Sequence, residues 1–477
     1  MNTSRPSLRG PLAWAICASS FGFTAVQLDV TIVNVALPRI ASDLHTHVAG
    51  LQWVVDAYTL AFAVLLLAAG VLGDRFGSRR AYLAGFTLFT LASAACALAD
   101  NAGLLISARV LQGIGAALLV PNSLALLSHA CAHDDRLRAR AVALWTAAGG
   151  VSIAAGPVVG GVLLAAFGWR SIFWVNVPVC TLGIFLSLRV LPEIARSAHP
   201  RALDPLGQLL AILTLTGLTG AVIEGGHLGW THPLVAAGFA VALLGGVLFV
   251  LAEARNPAPM LPLAFFRLPN FSPAVIFGIL VNLTYYGVIF VLSLYLQQAR
   301  GYSPLQAGLA FLPLTATFIG SNMLSGWISS QFGSRPPMIA GALIGMTGFA
   351  LLARLGNTSS FSAMLPAFIL IPGGMGLAVP AMTSTILSSV KREWSGTASA
   401  VLNAARQMGG AMGVAAFGAL VVGQPVQIVA GLKIAALCSS ALLLSAATVA
   451  WFGIGRLPAP SGLEAVSPAS PKAAPRN

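Results

Sequence analysis

G-V-L-G-D-R-F-G-S-R-R, Gly70 to Arg80, separates two long apolar runs, and a degraded copy of it, G-W-I-S-S-Q-F-G-S-R-P, spans Gly326 to Pro336. Phe76-Gly77-Ser78-Arg79 recurs in the second copy as Phe332-Gly333-Ser334-Arg335. The separation of the copies nearly equals that between Pro11 and Ser272, where the first and ninth apolar runs begin. Two halves of six runs therefore match, with two further runs inserted between them. A chance four-residue match is the alternative, but both copies fall in the same kind of turn at the same place in each half.

Composition decides what solvent those runs face. Of 477 residues, 57% are hydrophobic and only 8% are charged, against about 25% charged in a soluble globular protein. The mean hydropathy of +0.86 points the same way. A core cannot hide that much apolar surface from water, so lipid must solvate much of it. Cys17, Cys96, Cys131, Cys180 and Cys438 lie in or beside apolar runs, which predicts neither a disulfide framework nor a thiolate metal site. The seven histidines sit at run ends or in loops.

Runs long enough to cross a bilayer, roughly 20 residues each, cover residues 11–36, 51–73, 81–99, 103–128, 141–166, 171–191, 206–225 and 233–252. Six more cover 272–297, 305–329, 336–355, 361–389, 397–422 and 430–453, giving fourteen. With the amino terminus in the cytoplasm, 19 Lys and Arg fall inside and only five outside: Arg39, Arg170, Arg300, Arg354 and Lys433. That is the positive-inside pattern. The net charge of +13 is thus a topology signal and argues against nucleic acid as a partner. The first run is too long for a signal-peptide h-region and reads as an anchor. The expected fold is all-α and integral to the membrane, with both termini cytoplasmic. Its parts are a bundle over 1–192, two extra spans over 193–271, a second bundle over 272–455 and a disordered tail over 456–477. Parallel halves related by an axis along the membrane normal are the build of alternating-access carriers.

Charges inside the runs mark the candidate site. Asp29 lies about eight residues, or ~12 Å, from the outer end of the first run. An ionisable group at such depth costs roughly 2.5–3.5 kcal/mol, so it needs water, a partner or a proton, and is a functional candidate by default. A satisfied helix-packing aspartate is the bland alternative. Arg109 lies ~9 Å down the fourth run, and Asp56 stands at a similar depth in the second. The three form one layer, in which Arg109 pairs with Asp29 or with Asp56 and biases which holds a proton. A static ion pair is the competing reading. Gln112 is one turn from Arg109 on the same face. Glu224, at the outer end of the seventh run, is either a cavity acid or a solvated loop-end acid before Gly225-Gly226. Arg406, near the middle of the thirteenth run, reads as a partner for a cavity carboxylate or a substrate group.

The Gly70–Arg80 loop reads as a cytoplasmic gate. Gly70 and Gly77 permit a tight turn, and Asp74, Arg75, Arg79 and Arg80 can bond neighbouring helix ends in one conformation and release them in another. Ser330 and Gln331 replace the acid and first base in the second copy. Simple topology-setting charge is the alternative. In the fifth run Gly149, Gly150, Gly156, Pro157, Gly160 and Gly161 present small residues that let helices approach closely in lipid, and Pro157 bends the helix.

These motifs stand in an order that carries a resemblance: L-D-V-T-I-V-N-V-A-L-P (Leu28 to Pro38), the Gly70–Arg80 loop, R-V-L-Q-G-I-G (Arg109 to Gly115), G-P-V-V-G-G (Gly156 to Gly161), W-R-S-I-F-W-V-N-V-P (Trp169 to Pro178) and A-R-Q-M-G-G-A-M-G (Ala405 to Gly413). Over nearly its whole length the chain resembles the major facilitator superfamily, and within it the fourteen-span drug:proton antiporters, which include methylenomycin-resistance exporters. The resemblance implies a proton-transfer part for Arg109 and, from Gly156-Pro157 with Gly160-Gly161, outward transport. The expected activity is proton-coupled export of hydrophobic or amphipathic drugs, driven by the proton gradient without a cofactor. Expected partners are small-molecule substrates, protons and the lipid of a bacterial inner membrane, with a periplasmic adaptor or a lone monomer both open. A dedicated carrier of one metabolite is the runner-up. A membrane enzyme or receptor has no nucleophile–base set, metal cluster or Walker loop behind it. Charges of both signs leave the substrate's charge open.

Overall fold

The computed structural model describes residues 11–131, 135–193, 203–257, 259–356, 359–391, 394–421 and 425–455. The tail over 456–477, residues 1–10 and the loop cations Arg196, Arg201 and Arg392 lie outside the described residues.

Each of the fourteen apolar runs forms a helix. The first half holds α1 (Pro11–Asp43), α2 (Val48–Phe76), α3 (Ser78–Ala97), α4 (Ala102–Ala130), α5 (Asp135–Phe167), the one-turn α6 (Ser171–Trp174) and α7 (Asn176–Val190). The insertion is α8 (Pro205–Leu228) with α9 (Pro233–Arg255). The second half holds α10 (Phe271–Leu294), extended by a π-turn over Tyr295–Ala299, then α11 (Pro304–Ala310), α12 (Leu312–Phe332), α13 (Arg335–Leu352), α14 (Phe361–Ser388), α15 (Ser395–Gly418) and α16 (Pro425–Gly453). The sixth and tenth runs, read as single spans, are each broken once, at Val175 and at Phe311.

Among the described residues, twelve helices or joined helix pairs are long and apolar enough to cross a membrane, and α5 adds a thirteenth with a 40° bend between Ile153 and Ala155. Pro157 accounts for that bend, because it has no N–H to give the carbonyl one turn back. The remaining long helix, α15, is less apolar because it carries Asn403, Arg406 and Gln407 within its length. Lipid is the solvent of the outer surface: α9 is apolar all round and leaves Leu243 and Leu244 about two-thirds exposed.

Packing repeats between the halves. In the first half α1 lies on α5 and α7, α3 on α4 and α7, and α2 on α4. In the second half α10 lies on α15 and α16, α13 on α14 and α16, and α12 on α14. The same partners thus recur at the same positions. Across the seam α2 packs on α15 and α5 on α11 and α12, so position two of each half meets position five of the other. A twofold axis running between the halves produces that exchange.

The repeated turn shows the symmetry at atomic scale. Gly77 (φ +99°) and Gly333 (φ +80°) both adopt a backbone that other residues resist, ending one helix and starting the next. Arg79 donates to the Leu188 carbonyl at 2.8 Å, and Arg335 donates to the Trp451 carbonyl. Each arginine ties its turn to the end of the sixth span of its own half. The α8–α9 hairpin breaks the symmetry: α8 packs against both α2 and α15, with α9 behind it.

Candidate functional site

Five helices converge on Asp29. Glycines at 113 and 115 bring α4 in: a Cβ on Gly115 would sit 2.8 Å from the Phe89 backbone, and one on Gly113 would strike α2 at Tyr58. Arg109 Nη1 donates to Asp29 Oδ2 at 2.5 Å and to Gln112 Oε1 at 2.7 Å, while Nε donates to the Val54 carbonyl at 3.0 Å. Asp29 Oδ1 accepts from Gln112 Nε2 and from Asn176 Nδ2, each at 2.8 Å. Gln112 also donates to Ser93 Oγ at 2.7 Å. The guanidinium lies over the Tyr58 ring, 4.2 Å from its centroid. All these side chains are at most 1% exposed.

A buried ion pair survives only when further hydrogen bonds satisfy both members, and here amides and an aromatic face do so. Arg109 is held by more than the acid, since Gln112 Oε1, the Val54 carbonyl and the Tyr58 face contact it as well, so the pair and its surroundings tie α1, α2 and α4 together.

The other charged candidates stand apart from this cluster. Arg109 pairs with Asp29 and not with Asp56, because Asp56 and Tyr58 point to opposite sides of α2. The single layer of three charges thus divides into a pair and an isolated acid. Asp56 is fully buried, and neither carboxyl oxygen has a hydrogen-bond partner among the described residues. Glu224 accepts from Trp53 Nε1 at 3.1 Å and faces a side groove between α8 and α9, away from the space between the halves. Arg406 stands beside Tyr286 and opposite Gly278, and its buried Nε is without a partner among the described residues.

Between the halves lies a small cavity of about 30 Å³. Thr31 and Asn34 of α1, Pro157 of α5, Tyr285 and Tyr286 of α10 and Phe318 of α12 contribute to its walls. Its walls are mostly apolar, with a few polar groups. Hydrogen bonds close it at one end. Gln52 Nε2 donates to the carbonyls of Val414 (3.0 Å) and Ala415 (2.7 Å), Ser293 Oγ to that of Asn34 (2.5 Å), and Gln297 Nε2 to that of Val35 (2.9 Å). The glycine run of α5 packs on α1 of its own half and, through Gly161, on α11 across the seam. A Cβ on Gly160 would lie 2.9 Å from Ile32, one on Gly156 would strike Thr31, and one on Gly161 would lie 2.8 Å from the Pro304 carbonyl of the other half. Gly308 meets the Pro157 carbonyl in return. Farther along, Gly150 of α5 and Gly320 of α12 face open space.

A Gly308→Leu variant is expected to wedge this end apart. A cysteine placed at Asn34, inside the closure, should then react with an impermeant maleimide added from outside at least tenfold faster than in the Gly308 protein. Equal labelling rates would show that the glycine contact does not hold the seam.

A model of the Major Facilitator Superfamily matches residues 19–414. The chain belongs to the major facilitator superfamily. It is 40% identical over 416 residues to a methylenomycin A resistance protein of Streptomyces coelicolor, covering 86% of this chain and 85% of that protein. It is 37% identical over 405 residues to the multidrug resistance protein Stp of Mycobacterium tuberculosis, covering 85% of this chain and 75% of the relative. Among solved structures, that of the human organic anion transporter MFSD10 superposes with a TM-score of 0.65 over 93% of this chain and all of that one, at 16% identity. That likeness supports the major facilitator fold.

In this superfamily member the loop Gly70–Arg80 holds its own half together. Besides the Arg79 staple, Arg80 Nε pairs with Glu193 at 3.0 Å, an exposed contact worth about 0–1 kcal/mol. Gly70 lies beside Pro121 of α4, and Arg75 is in the last turn of α2. Two members of the hydrogen-bond network around the ion pair have no role in the sequence reading. Asn176 sits inside the Trp169–Pro178 motif, where an amide in an apolar run was the available signal, and Ser93 had none to distinguish it from a helix-packing serine.

Proposed function

We propose that this chain is a proton-driven antiporter that exports hydrophobic or amphipathic drugs from a bacterial cell. It crosses the inner membrane fourteen times with both termini in the cytoplasm. The observation that carries the reading is the buried Asp29–Arg109 pair, surrounded by amides that serve either protonation state of the acid. Antibiotic and multidrug resistance in the named relatives supports outward drug movement. The closed end of the cavity is the outer one under the positive-inside topology, so this conformation faces the cytoplasm. On that side the cleft between the halves takes up a drug while Asp29 gives up its proton. The halves then rock about the seam, and an outside proton resets Asp29. Inward proton movement supplies about 2.3 kcal/mol per charge per 100 mV.

The test uses the purified chain in liposomes with an imposed pH gradient. A fluorescent lipophilic drug should move against its gradient only when the pH gradient is present, and a protonophore should stop it. Drug movement that ignores the protonophore would remove proton coupling, and no movement for any of a panel of charged and neutral drugs would remove the exporter reading.

A further inference from the structure

We infer that Asp56 is a second proton site, separate from Asp29, set in the seam between the halves, and that it must be protonated before the outer end can close. This builds on the alternating-access reading above and assigns one step within it. Gln52, Asp56 and Leu60 occupy successive turns of one face of α2. Gln52 bonds two α15 carbonyls, and Leu60 packs with Ala411 of α15 and Leu215 of α8. Asp56, between them, is therefore shut into the contact of α2 with α15 and α8. It is 0% exposed, and both oxygens lack a partner among the described residues.

Among the described residues, no cation is available to it there. On the helices around α2, Arg109 is bound to Asp29 beyond Tyr58, and Arg406 stands on the α10 side of α15 beside Tyr286. Glu224 of α8 is held by Trp53, and His227 stacks on His47 at the outer end. A carboxylate with neither donor nor counter-ion is not tolerated in such a place, whereas the neutral acid packs like an amide. With the seam open, water reaches Asp56 and the ionised form is stable. Closing therefore takes up one proton from the outer face, and reopening returns it to that face. This proton sets the readiness of the outer end to close and adds nothing to the net charge carried through Asp29.

The experiment places spin labels at Ser42 and Ser362, on exposed outer ends of the two halves, with Cys17 and Cys438 changed to Ser, in lipid nanodiscs. In the parent protein the distance distribution should move from mainly short at pH 5 to mainly long at pH 8.5. Asp56→Asn should stay short at both pH values, Asp56→Glu should restore the movement, and Asp29→Asn should retain it. A pH-driven lengthening in Asp56→Asn equal to that of the parent overturns the inference, as does a parent protein whose distances ignore pH. Gradient-driven export in liposomes is read separately, so a failure here is distinguishable from a failure of proton-coupled export.

Discussion

The Asp29→Asn variant is expected to insert, fold and bind drug, yet to lose gradient-driven export by a hundredfold or more. Asparagine keeps the size of the side chain. Its carbonyl can still accept from Arg109, whose other contacts to Gln112, Val54 and Tyr58 do not involve the acid. What disappears is the choice between two protonation states at this position, and with it the link between proton movement and uphill drug movement. Uphill drug movement in loaded liposomes should fall to background, while downhill exchange of drug between equal pools persists. Unchanged uphill transport would take Asp29 out of the proton path.

Removing the cation instead should damage the fold. Arg109→Met leaves Asp29 buried among helices with two amide donors and no counter-charge. Breaking a buried pair from one side costs about 3–5 kcal/mol. The variant should therefore melt well below the parent in nanodiscs. The double variant Asp29→Asn with Arg109→Met leaves no stranded charge and should recover much of that loss, though no coupled transport. If the double variant is no more stable than Arg109→Met, the two residues are not energetically coupled and the pair is not the structural unit described here.

The architecture was readable in the sequence because lipid enforces it. Twenty-residue apolar runs have few alternatives, and the Phe-Gly-Ser-Arg turn keeps its glycine in both copies because each copy needs a positive φ there. The intramembrane charges were also conspicuous, since each must be compensated. Hydropathy carries no information on helix rotation, however. Asp56 and Asp29 were equivalent partners for Arg109 until the direction of each face of α2 was known. The same gap put Glu224 with the cavity charges, whereas α8 turns it toward α9. Ser93 and Asn176 escaped because a neutral polar residue in a span costs little and has many uses. The charged turn, read as a gate, bonds the ends of its own half in this conformation through Arg79 and Arg80.

The inserted pair α8–α9 gives the molecule a handedness toward the bilayer. Two halves that part along a vertical cleft have two flanks, one beside α2 and α15 and the other beside α5 and α12. Because α8 lies across the first flank and α9 backs it, the two flanks offer lipid different surfaces: a greasy hairpin on one side, and on the other the direct meeting of α5 with α12.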